Sequence, residues 1–339
     1  MNIDYIKSKI KNKEEISLIE KAFDFFNAKL SDLYFSEKEA LVSHILEVVN
    51  TLIDFNADAL TLISCILYET IKNGVNKKEI EKEFGSTISN IAFTTSIINR
   101  HKLIQDDENQ KYFLDQLNVD TPEDVRALFI KLADRLYIMK TMKNSDNEYQ
   151  RKVAKETLDI LVPTAQRLRL NFIKSKLEDL CLFYLEPQAY NNILSRLNAT
   201  PEILSEQLIN MKKDISNLLS ENNIDCTIKN RVKNIYSIYN KLMNGKDFEE
   251  IYDILALRII TDDEFQCIKI AELIHSKYTF LPYRFKDYIN NPKENMYQSL
   301  HTTIVHNNMF YEIQIRTKQM NKTAEIGSAS HQLYKQKNI

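Results

Sequence analysis

Apolar residues recur at three- and four-residue spacing through most of the first 220 positions. LVSHILEVVNTLIDF, ALTLISCILYETI and ISNIAFTTSIINRH each carry such a stripe, the mark of a helix with one face turned to a core. The most regular run is DVRALFIKLADRLYIMKTM, where Val125, Leu128, Ile130, Leu132, Leu136 and Met139 fall mostly on one side. It opens on Thr121, Pro122, Glu123 and Asp124: a capping hydroxyl, a proline suited to a first turn, and acids that favour the positive end of the helix dipole. Near Cys226 the period changes. DILALRIIT, SLHTTIVH and MFYEIQIRT are rich in β-branched residues and read as strands, with the helical DEFQCIKIAELIHSKY after the first. Asn307 and Asn308 fit a short hairpin turn, because Asn tolerates positive φ. In MFYEIQIRT a period of two sets Glu312, Gln314 and Arg316 on one face and Tyr311, Ile313 and Ile315 on the other. A last helix is expected from about Lys318 to Lys335. The pattern predicts an α+β protein: an all-helical domain over residues 1–195, a helical linker over 196–224, and a smaller α/β domain over 225–339.

Composition narrows the function. With 339 residues and 44% hydrophobic content there is material for two cores. A net charge of -2, from 45 basic and 47 acidic residues, argues against general nucleic-acid binding but leaves a local basic pocket open. No apolar run follows the charges of MNIDYIKSKIKNKEEI, so neither a signal peptide nor a membrane anchor is expected, and the expected location is the cytoplasm. Cys65, Cys181, Cys226 and Cys267 form no CxxC pair and read as reduced residues rather than metal or redox groups. The four glycines, Gly74, Gly85, Gly245 and Gly327, are too scattered for a phosphate-cradling loop or a dinucleotide fingerprint. A nucleotide bound here would be held by Arg and Lys side chains and a metal.

RFKDYINNPKENMYQSLHTTIVHNNMFYEIQIRT concentrates that chemistry. Arg284, Lys286, Lys293 and Arg316 surround Tyr297, an aromatic of nucleobase size, and the stretch ends on the strand that carries Glu312. IYDILALRII brings a second carboxylate, Asp253, at the head of another strand. Two carboxylates can hold a hard cation such as Mg²⁺ together with substrate phosphates. Arginine grips phosphate with two parallel hydrogen bonds or stacks on a base, while lysine acts as a point charge. A plainer reading stands beside this one: a solvated basic loop over a core tyrosine. The strand carboxylates fit it less well, since an isolated charge on a sheet face needs a partner.

RVKNIYSIYNKL, IYDILALRII, RFKDYINNPKENMYQSLHTT and EIQIRTKQMNKTAEIG resemble, in order, the synthetase domain of the RelA/SpoT homologues, the enzymes that make the alarmone (p)ppGpp. The resemblance implies a nucleotidyltransferase-like domain with a mixed sheet that transfers the β,γ-pyrophosphate of ATP to the ribose 3′-hydroxyl of GDP or GTP, leaving AMP. It implies that Asp253 and Glu312 bind Mg²⁺, with Glu312 also helping to deprotonate the hydroxyl. Arg231 and Arg258 would sandwich adenine, and Lys233, Ser237, Lys241, Lys286 and Lys293 would lie along the ATP phosphates. Tyr297 would stack on guanine, with Asn295, His301 and Ala324 near the acceptor. Three residues depart from the family pattern. Met296 replaces a common Gly, Asn321 a common His and Gln332 a common Trp. The acceptor is therefore open between a guanine nucleotide, an adenine nucleotide and a tRNA end. A nucleotide-binding regulator that turns nothing over is the alternative of another class, and homo-oligomerisation is left open.

The helical portion resembles the family's hydrolase domain, most clearly at VRALFIKLADRLYIMKTM and AKETLDILVPTAQRL. The resemblance implies a metal held by a first His, a His-Asp pair and a later Asp. His44 and Asp134 match the first and last of these, but the pair falls on Tyr68 and Glu69, and the Glu-Asp that usually follows falls on Lys72 and Asn73. Tyr68 is a poor ligand and Lys72 repels a cation, so the site is expected to be degenerate and the domain a scaffold or regulator. RFKD, at residues 284–287, is typical of family members with both activities, which suggests descent from a bifunctional ancestor. The 339 residues hold no counterpart of the ribosome-associated modules of long members.

Overall fold

Asn12, Asp58, Asn76, Thr121 and Asp146 each stand just before a helix and accept a hydrogen bond from a backbone N–H of its first turn. Such caps satisfy donors that a helix start leaves free. The computed structural model describes residues 4–30, 35–100 and 121–324, and the chain divides into two units, Met1–Pro187 and Gln188–Ile339.

In the first unit the described residues form helices α1 (Asp4–Lys9), α2 (Lys13–Lys29), α3 (Phe35–Asp54), α4 (Ala59–Lys72), α5 (Lys77–Phe84), α6 (Ser86–Arg100), α7 (Pro122–Thr141), α8 (Asn147–Glu156), α9 (Val162–Arg167) and α10 (Asn171–Leu185). Every residue of α4 from Thr61 to Ile71 is buried, which is why its sequence is apolar nearly all round. α7 sends Leu128, Ile130, Leu132, Leu136 and Met139 into the same core but also buries Lys131, Asp134 and Arg135. Arg135 meets Glu156 at 2.6 Å and donates to the Thr157 hydroxyl at 3.0 Å and the Val153 carbonyl at 3.3 Å. These bonds fall where α8 widens into a π-helical turn, Thr157–Leu161. Cys65 and Cys181 are buried free thiols, as is Cys267 in the second unit, where Cys226 is half-buried and also free.

The second unit runs α11 (Pro187–Leu197), α12 (Pro201–Glu221), β1 (Thr227–Val232), α13 (Ile235–Met243), β2 (Leu255–Thr261), α14 (Glu264–Lys277), β3 (Thr279–Phe280), β4 (Lys286–Asp287), β5 (Leu300–His306) and β6 (Met309–Thr317). Residues 318–324 are helical; the rest of the expected last helix, with Gly327 and Gln332, lies outside the described residues. The sheet order is β1-β2-β6-β5-β3, with β4 on β5. β2 and β6 are parallel and the other pairs antiparallel, so the sheet is mixed. β5 and β6 are joined by Asn307 and Asn308 at φ 49° and 60°, the all-positive geometry a tight hairpin needs. One face of the sheet, with Leu255, Leu257, Ile259, Ile313 and Ile315, belongs to a core shared with α12 and α14.

Two expectations change. The division falls after Pro187 rather than at 195, and residues 196–224 are no linker. α12 buries Leu204, Leu208, Met211, Ile215 and Leu219 in the core of the second unit, since their four- and three-residue spacing forms one apolar stripe that the sheet covers. Asp253 does not head a strand either: β2 begins two residues later, at Leu255. That resolves a parity conflict, because an unbroken strand would have put Asp253 and Arg258 on opposite faces.

Candidate active site

Strand register assembles the site. Lys229 pairs with Arg258, Arg258 with Gln314, Gln314 with His301 and His301 with Lys286, so one row of polar residues crosses four sheet pairings. The adjacent row runs Arg231, Ala256, Glu312 and Thr303. Both rows lie on the face opposite the core, as the period of two requires. Arg231 and Arg258 are diagonal neighbours, and such positions stand about 7–8 Å apart in an antiparallel pair. One flat ring fits between two guanidinium planes at that spacing.

A cavity of about 280 Å³ opens on this face, lined by Lys229, Asn230, Arg231, Lys233, Asp253, Ala256, Leu257, Arg258, Glu312 and Gln314. The Lys233 backbone N–H donates to the Ile254 carbonyl at 2.8 Å, tying the end of β1 to the approach of β2 and setting Lys233 beside Asp253. Lys233 Nζ lies 3.0 Å from Asp253 Oδ2; Lys241 Nζ lies 2.8 and 2.9 Å from Oδ1 and Oδ2. Burial opposes ionisation of Asp253, but the two lysines more than offset it and hold the carboxyl below its usual range. Lys233, more deeply buried, is itself drawn below the ordinary lysine range by desolvation, despite its partner. Lys241 is on α13, one turn beyond Ser237, whose hydroxyl bonds to the side chain of Asn234.

Glu312 belongs to a different chain of contacts. His301 Nδ1 is 3.5 Å from Glu312 Oε1, and His301 Nε2 is 2.8 Å from the Tyr297 hydroxyl. With the proton on Nδ1, the ring donates to the carboxylate and accepts from the phenol. Burial pushes the Glu312 carboxyl up, but the His301 hydrogen bond, joined by that ring's charge when it is protonated and by Arg284, brings it below its ordinary value; Asp253 acts the other way. Tyr297 lies between cations, with Arg316 at 5.4 Å and Lys293 at 5.3 Å from its ring centre. Burial raises its phenol pKa. Asn295 Oδ1 accepts the Tyr297 N–H at 3.2 Å and shapes the loop. Met296 has φ 61°, a backbone that favours glycine, and its side chain is 64% exposed.

The structure thus groups Asp253, Glu312, Arg231, Lys233 and Arg258 in one cavity, reaches Lys241 through Asp253, and reaches His301, Tyr297 and Lys293 through Glu312. Exposed Lys286 joins by its pairing with His301. Ala324 is not brought in: it is half-buried on the helical stretch after β6 and is not in the cavity lining. Lys229, Asn230 and Gln314 line the cavity and were missed as site residues. The two-residue step from Arg231 back to Lys229 was the available signal for the first.

The donor set fits Mg²⁺. Two carboxylates, both favouring the ionised state and both in one cavity, suit a hard cation that takes its remaining ligands from phosphates and water.

The helical unit shows the opposite. His44 Nε2 and Asp134 Oδ1 are paired directly at 2.6 Å, and the Tyr68 hydroxyl donates to the same oxygen at 3.3 Å. Lys72 binds Glu69 at 2.6 Å and stands 5.1 Å from the Tyr68 ring centre. Asp134 therefore pairs with His44, and its neighbour Arg135 with Glu156. Among the described residues of either unit no three His, Cys, Asp or Glu side chains converge as a metal set. What sets the helical unit apart is its donors, since Tyr68 and a Glu69 paired with Lys72 stand where the middle ligands would be and fit a metal poorly. Lys131 is buried beside Asp134 and its pKa is lowered to about 8, chiefly by desolvation, with Arg135 and Lys72 adding to the effect. A lysine whose folded pKa lies below its unfolded value costs stability at neutral pH, and the cost fades as pH rises from about 8 toward the ordinary lysine value. Lys131→Met should therefore melt higher than the parent at pH 7, with the gain shrinking by pH 10; differential scanning calorimetry across that range checks it.

No helix among the described residues is long and apolar enough to cross a membrane. The model of the region found in RelA / SpoT proteins matches residues 230–339, and that of the HD domain matches residues 22–170. The GTP pyrophosphokinase rsh of Brucella ovis is 33% identical over 322 residues, 94% of this chain and 43% of that protein. The GTP pyrophosphokinase of Myxococcus xanthus is 33% identical over 329 residues, 95% of this chain and 43% of that protein. A Spiroplasma citri protein named guanosine-3′,5′-bis(diphosphate) 3′-pyrophosphohydrolase is 34% identical over 337 residues, 98% of this chain and 45% of that protein. The chain spans less than half the length of these curated relatives. Among solved structures, small alarmone synthetase 2 of Bacillus subtilis is 30% identical, with a TM-score of 0.35, over 44% of this chain and 80% of that one. The two models in order, an HD domain and then the region found in RelA / SpoT proteins, with relatives 33% and 34% identical over nearly all of this chain, place it in the RelA/SpoT homologue family.

Proposed function

We propose that the second unit is an ATP-dependent pyrophosphokinase that makes (p)ppGpp from GDP or GTP. One observation carries this reading: two ionised carboxylates stand in a cavity otherwise rich in cations, and one of them connects through His301 to the ring of Tyr297. Arg231 and Arg258 clasp adenine, and Lys233, Lys241, Lys286 and Lys293 neutralise the triphosphate. Tyr297 stacks on the acceptor base and sets the ribose 3′-hydroxyl near Glu312. The hydroxyl oxygen attacks the β-phosphorus of ATP as its proton passes to Glu312. The bond from that phosphorus to the α–β bridging oxygen breaks, and AMP leaves. Mg²⁺ held by Asp253 and Glu312 would supply charge neutralisation on the phosphate oxygens, the main requirement of such transfers. Release of Asp253 from Lys233 and Lys241 would free those lysines for the phosphates.

Nucleotide chromatography after mixing the protein with Mg²⁺, ATP and either GDP or GTP tests the reading. AMP formed in step with a more phosphorylated guanosine supports it; ATP left intact with every guanine acceptor removes it. Parallel reactions with ADP and tRNA separate the other acceptors, and tight nucleotide binding without AMP release favours a regulator.

We further propose that the helical unit does not hydrolyse alarmone. The name of the Spiroplasma relative keeps hydrolysis as the competing reading. Mn²⁺-dependent release of pyrophosphate from ppGpp, lost in Asp134→Asn, would establish it against the one offered here.

A further inference from the structure

Tyr252 separates buried Ile251 from Asp253 and has no place in the chemistry above. Its ring meets Phe310 edge-on, with centroids 5.0 Å apart and planes at 75°. The guanidinium of Arg284 lies 4.7 Å from its ring centre, and its hydroxyl is 3.4 Å from that of Tyr283. Phe310 and Glu312 are two residues apart on β6 and so project from the same face. The ring therefore adjoins one carboxylate in sequence and the strand neighbour of the other in space. This is no core cluster: Phe310 is 40% exposed and Tyr283 69% exposed, so little apolar burial is gained from it. Arg284 is the informative partner. Its charge reaches Glu312, and its Nε is buried with no hydrogen-bond acceptor. Water or a ligand oxygen is the usual partner of such a donor.

Resting on the pyrophosphokinase reading, we infer that Tyr252 is a positioning residue whose ring holds the Arg284 guanidinium so that its N–H groups grip an oxygen of the pyrophosphoryl group in transfer. Stacking on an aromatic face leaves the edge of a guanidinium free to bind an oxyanion, which an ion pair to a carboxylate would not.

The test is a double-mutant cycle in the full chain with Tyr252→Leu, Arg284→Ala and the pair, beside Tyr252→Phe. Turnover, both KM values and calorimetric affinity for a non-hydrolysable ATP analogue are measured. Tyr252→Leu keeps bulk but loses the π-face, and is expected to lower kcat by about tenfold with the acceptor KM unchanged. Tyr252→Phe should stay within about twofold of the parent, since the ring and not the hydroxyl acts. In the Arg284→Ala background, Tyr252→Leu should change nothing further. An equal loss in both backgrounds, or a loss carried by the acceptor KM, would overturn the inference. If the parent releases no AMP with any acceptor, the pyrophosphokinase reading fails; analogue affinities still decide whether the two residues act as a pair. Tyr252→Trp, which restores a π-face, rescues turnover if the inference holds, and does not if Tyr252→Leu merely unfolds the loop.

Discussion

Glu312→Gln is expected to lower AMP release by about a thousandfold or more while leaving the second unit folded. Gln keeps the size of the side chain and an oxygen that can still accept from His301 Nδ1, now 3.5 Å from the carboxylate. The fold should hardly register the change, and the melting temperature should stay within a few degrees of the parent. Chemistry loses two things at once: the negative charge that complements the metal and the base that receives the 3′-hydroxyl proton. Loss of general-base catalysis alone accounts for about 10²–10⁴ in rate. The two roles share one group, so they are not expected to multiply cleanly. The pH profile follows from the same contacts. His301 and Arg284 hold the Glu312 carboxyl below its ordinary range, so the base is competent above that lowered value. Activity should fall only when pH drops through it, on the acid side of a normal glutamate. A Gln variant that retains a tenth of parental turnover in the chromatographic assay would remove Glu312 from the chemistry.

Much of this site could be read before any coordinates were known, and the reason lies in β6. A strand with one face buried must alternate, so Glu312 and Gln314 were bound to share a face away from Ile313 and Ile315. The hairpin at Asn307 and Asn308 was legible for a similar local reason, since few residues accept positive φ. Asp253 was harder. Its parity with Arg258 conflicts with a continuous strand, and only the start of β2 at Leu255 settles the matter. Pairings set by the third dimension were not legible at all. Nothing local says that β2 and β6 run parallel side by side, or that Lys233 and Lys241, on a strand end and a helix, close on one carboxylate. The misjudged linker is instructive in the other direction. The stripe Leu204, Leu208, Met211, Ile215 and Leu219 was visible, and a stripe of that regularity needs a surface to cover it. Ala324 came from resemblance alone and has no counterpart in the cavity geometry.

Asp134→Ala is expected to destabilise the helical unit by about 3–5 kcal/mol, the range for breaking a buried charge pair from one side. Asp134 is 5% exposed and its carboxylate is bonded to both His44 and Tyr68, with the buried ammonium of Lys131 nearby. Burial opposes its ionisation, but the His44 hydrogen bond and the charges of Lys131, His44 and Lys72 hold its pKa below the usual range. Removing it strips a balancing charge from the buried Lys131 and costs the Tyr68 hydroxyl, on a fully buried side chain, one of its two acceptors, leaving Glu69. Denaturant unfolding of parent and variant measures the loss. Mn²⁺ then separates the structural role from a ligand role, because a metal that binds only the folded state raises the midpoint by mass action. If Asp134 serves the fold, its loss is large and the parent melts at the same temperature with or without Mn²⁺. A metal site predicts the reverse pair of results: a small loss in metal-free buffer and a parent stabilised by Mn²⁺. The donors around Asp134 favour the first outcome, because Tyr68 is a poor ligand and Lys72 brings a positive charge to Glu69 beside it.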